Sequence, residues 1–371
     1  METVEHERCR SVAGGETRWA SPPGSHSLFA SAQRRKWKKR AMIVILLASL
    51  ILSMSLAVRV GAVHVSLEEL VGILSRPTTA AGTARTIILD IRLPRVLASA
   101  MVGAALAVAG TTFQALFRNP MADPYVIGAS SGAALGATVA ILLNPGFRVL
   151  GVGAVPSLAF VGALVTVLVV YHLARVGHAV SVITLLLAGI AVGSFLSAIV
   201  SLLMYFSGER LHQVVFWLMG GFDGARWLYL KAALPYFTLG VAIVVFHTRE
   251  LNCILMGDES ARHLGINVER ARKMLLAGAT LLTATAVSQS GLIGFVGLIV
   301  PHVTRMIAGP DHSLLIPASA LGGAAFMVAA DTLARTVIAP TELPVGLVTA
   351  LGGGPFFIYI LRRRFKMRMF Y

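Results

Sequence analysis

Long runs almost free of Asp, Glu, Lys and Arg alternate with short polar stretches along this chain. The runs lie at 41–58, 96–117, 124–147, 149–171, 176–208, 228–246, 274–304, 313–333 and 343–361. About 20 apolar residues at 1.5 Å per residue cross a bilayer, so most of these runs read as one crossing each. The 33-residue run 176–208 exceeds one span. It is expected to hold one full crossing plus a kinked or unwound part, with Gly189 and Gly193 at close helix contacts. The 31 residues 274–304 are too long for one crossing and short for two. Gln289, Ser290 and Gly291 mark a break there, giving short crossings at about 274–289 and 291–307. The count is ten, six before one polar stretch and four after it.

That polar stretch, Arg249 to Lys273, organises the chain. It carries Arg249, Glu250, Asp258, Glu259, Arg262, Glu269, Arg270, Arg272 and Lys273, too many charges for hydrocarbon. Its middle, Glu259 to Leu264, reads as a short helix, with Gly265 as its C-terminal stop. Earlier, Ser66 to Leu74 reads as an amphipathic piece, with Ser66 as cap and Glu69 completing a capping box. Residues 209–227 carry Trp217 and Trp227, which suit a membrane interface.

Composition agrees. Hydrophobic residues make up 56% of the 371, charged residues 13%, and mean hydropathy is +0.77. A soluble domain carries about twice that charge. The 36 glycines suit close helix packing in lipid. The fold class is therefore all-α, a polytopic membrane protein of about ten transmembrane helices. The net charge of +15 is concentrated at the ends and in loops. Arg34–Arg40 holds six positive charges and Arg362–Arg368 five. That distribution orients a membrane protein and gives no reason to expect a nucleic-acid partner. Both ends are expected on the cytoplasmic side, which an even span count permits. The expected organisation is a disordered basic segment over 1–40, a transmembrane domain over 41–361 and a basic tail over 362–371.

Enzyme chemistry is hard to place. The dipeptide Gly-Lys does not occur, so there is no G-x-x-x-x-G-K-[ST] loop to cradle a nucleotide. H-E-x-x-H and C-x-x-C are absent, and the two cysteines, Cys9 and Cys253, build no disulfide framework. No catalytic, cofactor or metal residue is expected in the chain.

Several stretches together resemble the FecCD-type permeases of iron-siderophore, haem and vitamin B12 ABC importers. They are R-L-P-R at 92–95, G-A-A-L-A-V-A-G at 103–110, Gln114 with R-N-P-M-A-D-P at 118–124, and G-A-S-S-G-A-A-L-G-A at 128–137. L-L-L-A-G-I-A at 185–191, G-D-E-S-A-R-H-L-G at 257–265, G-L-I-G-F-V-G-L-I-V-P-H at 291–302, D-H at 311–312 and E-L-P-V-G-L-V-T-A at 342–350 follow in order.

The resemblance implies a vitamin B12 permease-like fold. The partners it implies are a second permease subunit (the same chain or a related one), two ATPase subunits that bind the ATP, and an extracytoplasmic substrate-binding protein. It makes Gly257, Asp258, Glu259, Ala261, Arg262, Leu264 and Gly265 the helix that couples to the ATPase. It makes Arg92, Arg95 and Arg335 docking residues for acidic groups of the binding protein. It places an inner gate at Ser181, Val182, Ile183 and Thr184, where a hydrophobic constriction can exclude water. Ferric siderophore is the first substrate it suggests, with cobalamin, haem and molybdate as alternatives. A different class remains open from the residues themselves: a proton- or ion-coupled transporter with a relay through Asp331, Arg335 and Glu342.

Overall fold

The computed structural model describes residues 25–61, 72, 83–144, 146–149, 151–176 and 179–368. Besides a single helical turn at Thr83–Thr86, thirteen α-helices occur among them: α1 (Ser25–Arg59), α2 (Leu93–Leu116), α3 (Ala129–Leu143), α4 (Ala154–Leu173), α5 (Val182–Tyr205), α6 (Leu211–Met219), α7 (Trp227–Phe246), α8 (Thr248–Leu255), α9 (Asp258–His263), α10 (Val268–Ser290), α11 (Val296–Ala308), α12 (His312–Thr336) and α13 (Val345–Arg368). A π-helical stretch, Ile87–Arg92, leads straight into α2. A 3-10 turn at Gly208–Arg210 and two antiparallel pairs of two-residue strands complete the list: β1 (Arg148–Val149) with β2 (Val152–Gly153), and β3 (Arg175–Val176) with β4 (Ala179–Val180). The chain divides after Ala41, and the second unit, Met42–Tyr371, carries the helix bundle and the site.

Six helical segments are long and apolar enough to cross a membrane: Lys39–Arg59, Ile87–Leu116, Ala154–Leu173, Val182–Tyr205, Trp227–Phe246 and His312–Thr336. Three shorter apolar helices, Ala129–Leu143, Val296–Ala308 and Val345–Ile360, add to these. With α10 they account for the ten expected crossings. Helices are the solution because each satisfies its own backbone where no water can. Hydroxyls within them bond back to the preceding turn, as Thr111, Thr112 and Thr283 do at 2.8 Å.

The centre is α2. Nearly all of α2 is buried, and α10, α11 and α12 pack along it. Glycine permits this closeness. A Cβ at Gly110 would lie 1.8 Å from the Gly297 carbonyl oxygen, and one at Gly103 would lie 2.2 Å from the Gly323 carbonyl oxygen. Only backbone fits at those crossings, the arrangement by which helices associate without a hydrophobic drive between them. Gln114 adds a cross-helix bond, donating from Nε2 to the Leu298 carbonyl at 3.1 Å.

The structure revises several expectations. The run 176–208 does hold one full span with a non-helical surplus, and the structure places that surplus at its edges. Its helix α5 is unbroken from Val182 to Tyr205, and the surplus residues form the β3–β4 hairpin before it and the break at Phe206 and Ser207 after it. The interface segment 209–227 contains the short helix α6. Crossing α3 starts at Ala129, because 118–128 folds into turns; the crossing expected from 274 begins earlier, at Val268. Helix α1 starts at Ser25, inside the segment expected to be disordered. Adding residues to an existing long helix avoids the cost of nucleation, and Leu28 to Gln33 contains no breaker. Residues 1–24 and most of Ser66–Leu74 lie outside the described residues. The expected break at Gly291 is present, with φ +66° ending α10.

Candidate functional site

The polar stretch is largely helical. Helices α8, α9 and the first turns of α10 follow one another with tight turns at Gly257 (φ +123°) and Gly265 (φ +81°). Ala261 faces inward and is fully buried, whereas Glu259, Ser260, Arg262, His263 and Leu264 are exposed. Leu264 is 62% exposed, an apolar side chain on a polar surface.

One carboxylate fixes this segment. Asp258, the first residue of α9, pairs with Arg118 from the end of α2 and with Arg272 of α10, the latter at 2.9 Å. Arg118 also donates from Nη2 to the Ile254 carbonyl at 2.8 Å, which ties α8 to the end of α2. Burial pushes the Asp258 carboxyl upward, but the two guanidiniums outweigh it and hold the group below the usual carboxylate range. An acidic residue in the first turn of α9 also suits the helix dipole.

The expected gate residues stand beside this segment. Ser181 and Val182, at the start of α5, line a narrow crevice with Glu269, Arg272, Lys273 and Leu276 of α10. Thr184 donates to the Ala174 carbonyl at 3.0 Å, which anchors the start of α5 to the end of α4. Ile183 points away from the crevice and is 69% exposed.

At the opposite end of α2 the three arginines do not project into solvent. Arg92, Arg95 and Arg335 are 5%, 8% and 8% exposed. Arg92 donates to the Val58 carbonyl at 2.8 Å and the Arg59 carbonyl at 3.1 Å, and Arg335 to the Ala57 carbonyl at 3.2 Å. Together they cap the last turn of α1, where cations are favoured. Arg95 meets three carboxylates: Asp331 at 2.9 Å, Glu342 at 2.8 Å and Asp223 at 3.4 Å. Arg335 Nε lies 3.2 Å from Asp331, an ion pair without hydrogen-bond alignment. Glu342, Asp223, Gln289 and Trp217 line a cavity of about 290 Å³ at this end. Burial, then the bond to Glu342, pushes the Asp223 carboxyl up. Glu342 is also raised by burial, but the Arg95 guanidinium outweighs that and holds it down.

Asp331, Arg335 and Glu342 therefore do meet, through Arg95, which the sequence did not link to them. Sequence reasoning also passed over Arg118 and Arg272 as pairing residues. Arg118 lies in the R-N-P-M-A-D-P stretch and Arg272 in the polar stretch, so both were in view. Their common partner was not.

Residues 28–363 match the FecCD transport family. The chain belongs to that family. Among relatives in it, the cobalamin import system permease protein BtuC of Halobacterium salinarum is 50% identical over 282 residues, 76% of this chain and 75% of that one. The hemin transport system permease protein HmuU of Yersinia pestis is 44% identical over 284 residues, covering 76% and 84%. An uncharacterized ABC transporter permease, YvrB of Bacillus subtilis, is 46% identical over 281 residues, covering 76% and 80%. A solved ABC transporter described as of metal-chelate type, in an inward-facing conformation, superposes with a TM-score of 0.78 at 31% identity, covering 87% of this chain and 99% of that one. The FecCD family chain is thus a multi-pass membrane permease.

Proposed function

We propose that this chain is the permease subunit of an ATP-driven, binding-protein-dependent importer of metal chelates. The observation that carries the reading is the α9 segment. It is a six-residue helix held at Asp258 by two arginines, with an exposed face of Glu259, Arg262 and Leu264 at the end of the bundle. A rigid, exposed helix on a clamped turn is suited to docking a soluble ATPase and passing its closure to the bundle as rigid-body movement. The ATP belongs to two such partner subunits, and a second permease completes the path. The α9 end and both chain ends face the cytoplasm.

The arginine end faces a substrate-binding protein. Because Arg92, Arg95 and Arg335 already hold carbonyls or carboxylates, docking through them requires acidic groups of the partner to replace those acceptors. The substrate is a chelated metal. A corrinoid or haem ranks ahead of the ferric siderophore suggested by the family resemblance, because two of the similar chains carry cobalamin and hemin in their names. The test is uptake of labelled cyanocobalamin, hemin and a ferric siderophore in a strain lacking this chain and in the complemented strain. Loss and recovery of cyanocobalamin or hemin uptake is expected. Ferric siderophore alone would shift the substrate, and no change in any of the three would overturn the chelate reading.

A further inference from the structure

Arg272 occupies two places at once. Its Nη2 holds the Asp258 carboxylate at the start of α9, and its side chain lines the crevice beside Ser181 and Val182 at the mouth of α5. Nothing else among the residues lining that crevice bonds to α9. The side chain is also incompletely satisfied. Nη1 lies 3.9 Å from Glu269, too far for a hydrogen bond, and Nε is buried with no acceptor among the described residues. A buried N–H without an acceptor costs free energy, and such groups mark strain or a second arrangement in which the bond is made. Ser181 offers a hydroxyl in the same crevice.

The other partner of Asp258 behaves differently. Arg118 is fixed to the Ile254 carbonyl through both Nε and Nη2, at 3.2 and 2.8 Å. It follows directly on α2, the most buried helix of the bundle. Asp258 therefore sits between a fixed guanidinium and one with an unused donor. A displacement of α9 is therefore felt at the Arg272 contact, while Arg118 stays fixed to the Ile254 carbonyl.

We propose that Arg272 is the positioning residue that carries movement of α9 to the Ser181–Val182 mouth of α5. This rests on the reading of 257–265 as the ATPase-docking segment. The bond to Asp258 makes the first turns of α10 follow α9, and the guanidinium presses or releases the start of α5 as it follows. Charge on Asp258 is what keeps the two helices in step, and the planar fork of Arg272 is what spans both contacts.

The test uses the full transporter with its ATPase and binding protein in nanodiscs, in a C9S/C253S background with Ile183→Cys as the reporter. The readouts are ATPase co-purification, ATP hydrolysis, and labelling of the Ile183→Cys thiol by an impermeant maleimide with and without ATP. In R272Q the Arg118 contact alone still holds Asp258, so the ATPase still co-purifies and hydrolyses ATP, but the ATP-dependent change in labelling is lost, and uptake with it. R272K, which keeps the cation but not the fork, recovers part of the labelling change and reads the same question if R272Q does not fold. An R272Q protein whose labelling still responds to ATP overturns the proposal. So does one that loses the ATPase itself, because Arg272 would then act in docking. Leu264→Arg is run in parallel: retention of the ATPase by that variant would refute the docking reading separately.

Discussion

Replacing Asp331 with Ala should damage the protein more than the loss of one surface ion pair would. Asp331 is 1% exposed and accepts from Arg95 through Nε at 3.1 Å and Nη2 at 2.9 Å, with Arg335 Nε at 3.2 Å on its other oxygen. Without it, Arg95 keeps Glu342 and Asp223. Among the described residues Arg335 then hydrogen-bonds only the Ala57 carbonyl at 3.2 Å, with a long contact to Thr332 at 3.5 Å, so the orphaned charge is on Arg335. Breaking a buried pair by removing one partner costs about 3–5 kcal/mol. At about 2.1 cal/mol/K of unfolding entropy per residue, over 371 residues, that is a fall of roughly 4–6 °C in melting temperature. The assay is thermal unfolding of the detergent-solubilised protein, followed by size-exclusion of the soluble fraction. The double variant D331A/R335M removes the orphaned charge and should recover most of the loss. An unchanged melting temperature in D331A, or a double variant that loses the sum of the two singles, would refute the argument.

Other outcomes follow from the same geometry. Gly110→Leu places side-chain atoms where the Gly297 carbonyl stands, 1.8 Å from the Cβ position, so α2 and α11 are pushed apart; size-exclusion should show loss of the monodisperse species. Even Gly110→Ala should cost at least the 1–3 kcal/mol typical of overpacking, read as a lower melting temperature. The depressed Asp258 carboxyl sets the sign of a pH effect. Its clamp is complete above the ordinary carboxylate value of about 3.9 and weakens only as pH falls through the lower folded value. The ratio of transport to hydrolysis should therefore stay flat from about pH 8 to 5; a midpoint within that range that disappears in D258N would contradict the assignment.

Much of the fold was legible because lipid leaves few options. A charge-free run of about 20 residues must be a helix, and Gly265 and Gly291 end helices where their positive φ requires glycine. Legibility failed where run length and element length part company. The 33 residues of 176–208 contain a hairpin at one edge and the non-helical Phe206 and Ser207 at the other, where the run stays free of charge but the backbone is not helical. It failed again for the charges. Arg95 and Asp331 are 236 positions apart and Arg118 and Asp258 140 apart, and no local pattern pairs residues at such separations. Arg92, Arg95 and Arg335 are expected to dock acidic groups of the binding protein. They are buried because the last carbonyls of α1 and the carboxylate of Asp331 offer them partners that sequence spacing does not reveal. The relay considered through Asp331, Arg335 and Glu342 was right about their neighbourhood; Arg95, the side chain that joins them, was outside it.

Reconstitution tests the central claim most directly. The chain is placed in proteoliposomes with its ATPase and binding protein, and uptake of labelled cyanocobalamin and hemin is followed with ATP on the α9 side. The account predicts uptake that requires ATP and the binding protein, persists when ion gradients are collapsed by ionophores, and stops in Leu264→Arg as the ATPase dissociates. Uptake that ignores ATP and follows an imposed proton or sodium gradient would contradict it and assign the Arg95–Asp331–Glu342 cluster to an ion-coupled transporter.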